Sequence, residues 1–248
     1  MYQQPEHIMD LIPQFREVIE HLEKIKLSVI KESDFDYNSR DARMVALDSL
    51  QVSISAVGMW IHCYNSLANF HTQEGQFNEV SFLKSLDSGL NIEKTEEEMF
   101  KPLRLGFITL AHFKFDNLFS NILRYIGVLP QKPGYFNLTD KILEQCSIPK
   151  QGEEKDILIA FAYLRNSLHN NGMHRRGRDL IITIDGFEFK FIKNKSIRCA
   201  SWPEIIVLLK ANVKVMEKVL LSDKVRNIKT EIRDDFAFEH GINDKLLN

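Results

Sequence analysis

The chain has 248 residues, 44% of them apolar and 27% charged, with 32 Lys and Arg set against 34 Asp and Glu. This composition excludes a disordered or collagen-like chain, and the near balance of charge excludes a global field drawing the whole protein to nucleic acid or anionic membrane. With only 11 Gly and 7 Pro, it predicts a mainly α-helical globular protein.

Taken in chain order, apolar residues first recur at three-and-four spacing from Ile8 through Leu11, Phe15, Val18, Leu22 and Ile25 to Val29. That period predicts a helix over 5–32, interrupted at most near Pro13. After the polar break "ESDFDYNS", Ser39 is the expected N-cap of a second helix over 39–73. Its middle is apolar nearly all round, which places it at the centre of the bundle. A short helix over 78–91 follows. The next runs over 95–130, opened by Thr95 with Glu98 three places on, carrying Pro102 in its first turns and closed by Gly127 and Pro130.

Two more helices are predicted over 135–148 and 153–172. Residues 179–202 then change to alternating Ile, Thr and Phe around Asp185-Gly186, the favoured two-residue hairpin turn. A second turn at "KNKS" adds a third strand over 196–200. The helix over 201–221 has Ser201 at its cap and Pro203 in its first turn. The charged tail carries a possible last helix through "DDFAFEH". No repeat or linker divides the chain, so 1–248 reads as a single domain.

Cys63, Cys146 and Cys199 lack the paired spacing of zinc sites, and each thiol is expected to be a small buried apolar group. His62, His71 and His112 lie in apolar helices without a Glu-x-x-His or His-x-x-x-His pattern, and His7 and His21 fall on polar positions of the first helix. No metal or other cofactor is therefore expected. "MYQQPEHIMD" lacks the charged start and apolar run of a signal peptide, and no apolar run reaches the roughly 18 residues that cross a bilayer. The expected location is cytoplasmic, with no membrane partner.

One stretch departs from this bland pattern. "YLRNSLHNNGMHRRGR", residues 163–178, holds four Arg, two His and three Asn directly after an apolar helix. Ile157, Leu158, Ala160, Phe161, Leu164 and Leu168 form that helix's apolar stripe. Arg165 and His169, and likewise Asn166 and Asn170, stand four apart, so each pair shares one face. Asn171 or Gly172 then caps the helix in the left-handed conformation. A histidine that exchanges protons near neutral pH beside a fixed cation suits phosphoryl transfer: the imidazole moves a proton while the guanidinium steadies charge on the phosphate. The structural alternative is that Arg165 bridges to an acid such as Asp116 and "HNNG" is only a cap.

"LRNSLHNNG" resembles the signature of the HEPN superfamily, helical bundles marked by an arginine, a following polar residue and a histidine a few residues on. The upstream "HFKFDNLFSNILRYIG", residues 112–127, looks like the family's earlier core helix with polar residues against the motif. The resemblance spans about 40–175 in organisation, leaving a β-hairpin over 179–200 and C-terminal helices over 201–248. Arg165 and His169 have three residues between them, one fewer than the shortest spacing common in the family. A pair four apart on a helix still meets on one face.

The resemblance implies a metal-independent endoribonuclease in which the RNA 2′-hydroxyl attacks the adjacent phosphate. Arg165, His169 and Asn166 would be catalytic. Asn170, His174, Arg175, Arg176, Arg178, Asp116 and Asn117 would bind substrate. It also implies a homodimer with motifs facing across a cleft, and roles such as toxin or phage-defence effector with an antitoxin or defence-system partner. The alternative within the same fold is a non-catalytic module that engages a partner protein or nucleotide.

Overall fold

The computed structural model describes residues 10–32, 40–73, 92–131 and 134–234, with backbone only for 64–73 and 92–99. In order these hold α1 (Leu11–Glu32), α2 (Ala42–Gln73), α3 (Ile92–Tyr125), α4 (Tyr135–Gln145), α5 (Glu153–His169), β1 (Met173–His174), β2 (Leu180–Ile184), β3 (Phe187–Phe191), β4 (Lys195–Ser196), α6 (Trp202–Leu220) and α7 (Asp223–Arg226). The molecule is thus mainly helical, with its small β-region inserted after α5. The expected helix over 78–91, the cap Ser39, and the expected last helix beyond Asp234 lie outside the described residues.

The helix at the centre is α5. Eight consecutive residues, Ile157 to Leu164, are all buried, so the helix is enclosed on every side. It packs against α3, α4, α6 and the β-strands. This corrects the expectation that gave the centre to α2, where Val52 and Met59 remain 68% and 66% exposed. A second correction concerns the same helix: Ala42–Cys63 is long and apolar enough, by length and composition, to cross a bilayer. In this fold α2 packs against α1 and α3. Cys146 and Cys199 are buried as expected, but Cys63 is exposed.

Three helices end in the same way. At Gly127 (φ 74°), Ser147 (φ 56°) and Asn171 (φ 53°) the chain turns left-handed. The N–H one residue further on reaches back across the turn: Val128 to Leu123, Ile148 to Leu143 and Gly172 to Ser167, at 2.8–2.9 Å. Orphan carbonyls at each helix end are thereby satisfied. Helix α3 begins at Ile92, upstream of the Thr95 expected to cap it, so Pro102 lies inside the helix. At α6 the carboxylate of Glu204 accepts the backbone N–H of Ser201 at 2.7 Å, the cap foreseen there.

The β-region is two separate ladders. Strands β2 and β3 pair antiparallel with Ile184 opposite Phe187, and Asp185 and Gly186 both take positive φ, the geometry of the expected tight turn. The expected third strand does not join that hairpin. Instead β4 pairs with β1, His174 opposite Lys195, and so ties the region to the end of α5.

A buried ion pair locks the C-terminal segment to the start of α2. Arg43, 0% exposed, donates from Nε and Nη2 to the two oxygens of Asp41, both at 2.8 Å. It also donates to the carbonyls of Ile228 and Thr230 at 3.2 Å. Asp41 accepts the backbone N–H of Arg43 at 2.9 Å, and so caps α2, and that of Ile232 at 3.0 Å.

Candidate active site

Thr109, His112 and Asp116 of α3 sit at spacings of three and four, hence on one face, and that face meets α5. The two helices run antiparallel. Thr109 Oγ1 lies 3.1 Å from His169 Nε2, and further along α3 the ring of Phe115 meets Phe161 edge-on at 5.6 Å. The His112 ring stacks on Phe161 at 6.1 Å and lies 4.2 Å from the ring of Tyr135, the first residue of α4.

Within α5, Arg165 is half-buried and His169 exposed. Arg165 Nη1 donates to Asn166 Oδ1 at 2.8 Å, and Asn170 Nδ2 donates to the Asn166 carbonyl at 2.7 Å. Arg165 forms no ion pair among the described residues, and its buried Nε has no hydrogen-bond partner. Asp116, offered by the sequence as its bridging acid, is a neighbour by charge and not by contact, and the buried Asp116 Oδ1 also lacks a hydrogen-bond partner.

The electrostatics follow from burial. The His112 imidazole is held down to about 4, first by burial and then by the Arg165 cation, so it is neutral near pH 7. Burial raises the Asp116 carboxyl, with Arg165 opposing. Burial also pushes the Tyr135 phenol above its usual range, with the Asp116 charge adding to it. Burial thus dominates around Arg165, and Asp116, which feels its cation, is itself shifted up by burial. Charge on the guanidinium is left uncompensated at contact distance.

The four arginines and two histidines of the motif stretch divide in space. Gly172 and Met173 carry the chain out of α5 into a loop that folds over Tyr163. The Tyr163 hydroxyl accepts the backbone N–H of Arg178 at 2.9 Å. Gly177 (φ 102°) passes so close that a Cβ there would stand 2.3 Å from that hydroxyl. Arg175 and Arg176 are exposed, and Arg178 pairs with Asp156 at 2.6 Å.

Two expected substrate contacts are corrected by the packing. His174 is 1% exposed, enclosed by the rings of Tyr163 at 4.5 Å and Phe191 at 5.7 Å. Its Nε2 lies 3.3 Å from the Arg178 carbonyl, and since a carbonyl only accepts, that nitrogen is the donor. Asn117 donates to Asp234 Oδ2 at 3.0 Å, so it fastens the C-terminal segment to α3 and does not serve Arg165. In their place the fold brings in Thr109 and His112, which the sequence reading left aside. Among the described residues no three His, Cys, Asp or Glu side chains come together as a metal site.

Comparison with family models, with curated proteins and with solved structures finds no match to this chain.

Proposed function

We propose that the protein is a metal-independent endoribonuclease of HEPN type acting through Arg165 and His169. One observation carries the reading: Arg165 is half-buried without an acidic partner, one helical turn from an exposed histidine. A structural arginine at such a depth is normally paired, because an uncompensated charge away from water is costly. A site awaiting an anion accounts for the exception.

In the proposed reaction His169 is held by Thr109. When Nε2–H donates to Thr109 Oγ1, Nδ1 keeps its lone pair and is the base. The RNA 2′-hydroxyl gives its proton to that nitrogen as the 2′-oxygen bonds to phosphorus. The bond from phosphorus to the 5′-oxygen breaks, the 5′-oxygen takes a proton from water, and the hydroxide so formed takes the proton from the His169 imidazolium, leaving a 2′,3′-cyclic end and a neutral histidine. Arg165 stabilises the charge that builds on the non-bridging oxygens, and Asn166 fixes the guanidinium.

The test is incubation of the protein with mixed RNA in EDTA beside His169→Ala and Arg165→Ala. Wild type should yield 2′,3′-cyclic ends, and each variant should be slower by about two to four orders of magnitude with unchanged circular dichroism. Intact RNA with wild type under every condition would defeat the nuclease reading and favour a binding module. Thr109→Val separates positioning from folding: turnover should fall and the pH profile shift, with KM little changed.

A further inference from the structure

Residues 173–199 hold seven Lys and Arg against three Asp and Glu, in a chain whose net charge is −2. Only Arg178 of the seven has an acidic partner among the described residues, which leaves six exposed cations on one small β-region. Three of them line a surface trough. Lys190, beside Glu188, projects from the outer face of β3. Lys195 and Ser196 of β4, with Arg198 just after it, also line the trough, as does Ile192.

The β4 side of the trough is tied by backbone bonds to the chain that leaves α5. Its β4 wall is paired to β1, and Ile197 N–H donates to the carbonyl of Gly172, three residues beyond His169, at 2.8 Å. The same wall is anchored where Asn194 N–H donates to the His174 carbonyl at 2.7 Å. Arg175 follows directly on β1. Arg175 and Arg176 in the loop and Lys190, Lys195 and Arg198 at the trough are thus exposed cations carried on backbone joined to the end of the motif helix. The walls are fixed by backbone bonds, while the charged ends stay free.

We infer that this trough is the track for the sugar–phosphate chain of single-stranded RNA, with Lys190, Lys195 and Arg198 offering cations to successive phosphates beyond the scissile one. The inference rests on the nuclease reading for its choice of polyanion. It accounts for a basic surface in a chain whose nearly balanced overall charge gives no attraction to nucleic acid, since a local field suffices.

The experiment uses the His169→Ala chain, so that RNA is held without turnover, and follows a short fluorescein-labelled single-stranded RNA by anisotropy over a range of salt. Replacing Lys190, Lys195 and Arg198 together by Gln should weaken binding about tenfold or more and flatten the slope of log Kd against log salt by about two. A control triple on α1, Arg16→Gln, Lys24→Gln and Lys31→Gln, removes the same charge and should bind as before. Equal weakening by both triples, no weakening by either, or equal displacement of RNA by polyaspartate would each overturn the track.

Cleavage is scored separately with His169 in place. If wild type cuts RNA and the trough triple leaves KM unchanged, the track falls and the nuclease reading stands. If wild type cuts nothing while binding still depends on the trough, the track stands and the nuclease reading falls.

Discussion

The imidazole of His112 makes the neighbourhood of Arg165 measurable through stability. Its folded value near 4 lies below the ordinary 6.5, so the unfolded chain binds the proton first as pH falls. The contribution is fully present above pH 6.5 and is lost progressively down to about pH 4, with an upper size of about 3 kcal/mol. Asp116, raised by burial, runs in the opposite sense. Urea unfolding of His112→Leu beside wild type isolates the histidine: the variant should lose less stability between pH 6.5 and 4. Gly177→Ala gives a second test at this scale, since the left-handed backbone and the Tyr163 ring both oppose a Cβ. A loss of about 2 kcal/mol or more is expected, read as a lower Tm. Arg165, Asn166 and His169 were legible because their relation is set within one helix. Thr109 and His112 were not, because nothing local says which face of α3 meets α5. His174 was misread because Tyr163 and Phe191, which enclose it, are distant in sequence.

At the scale of elements, the clamp between α2 and the C-terminal segment turns on charges that are removed from water together. Arg43→Ala leaves Asp41 buried with its charge unpaired and should cost about 3–5 kcal/mol in denaturant unfolding. The double variant Asp41→Leu, Arg43→Met should recover a large part of that loss, because no lone charge remains. Element boundaries were legible where the signal is local, as at the Ser201 cap of α6 and the Asp185-Gly186 hairpin turn. They were missed where it is not. Asp41 caps α2 through a geometry stabilised by Ile232, and Ser147 takes a left-handed turn that sequence normally assigns to Gly or Asn. The third strand, expected over 196–200, is only Lys195–Ser196 and joins a different partner, since β4 pairs with a two-residue strand too short to carry any period.

Across the whole molecule, buried apolar residues from Leu11 to Ile232 form one connected core. Unfolding should therefore be cooperative. In a Trp60→Phe chain, fluorescence of the buried Trp202 and helical circular dichroism should fall at the same denaturant concentration, and separated midpoints would show that the parts unfold independently. Helical content could be read from composition and period. Centrality could not, because α2 and α5 are both apolar in sequence and only packing shows that α5 alone is enclosed.

The ring of Tyr163 has one further effect. By gripping Gly177 and the Arg178 amide, it settles the path of the loop as the chain folds, before anything docks there. Arg175 and Arg176 are thus presented from backbone held by Tyr163, and in the proposed nuclease an RNA phosphate has only two side chains to quieten. Loosening that grip, as Tyr163→Ala would, should slow nothing in the approach of a ligand but shorten its stay.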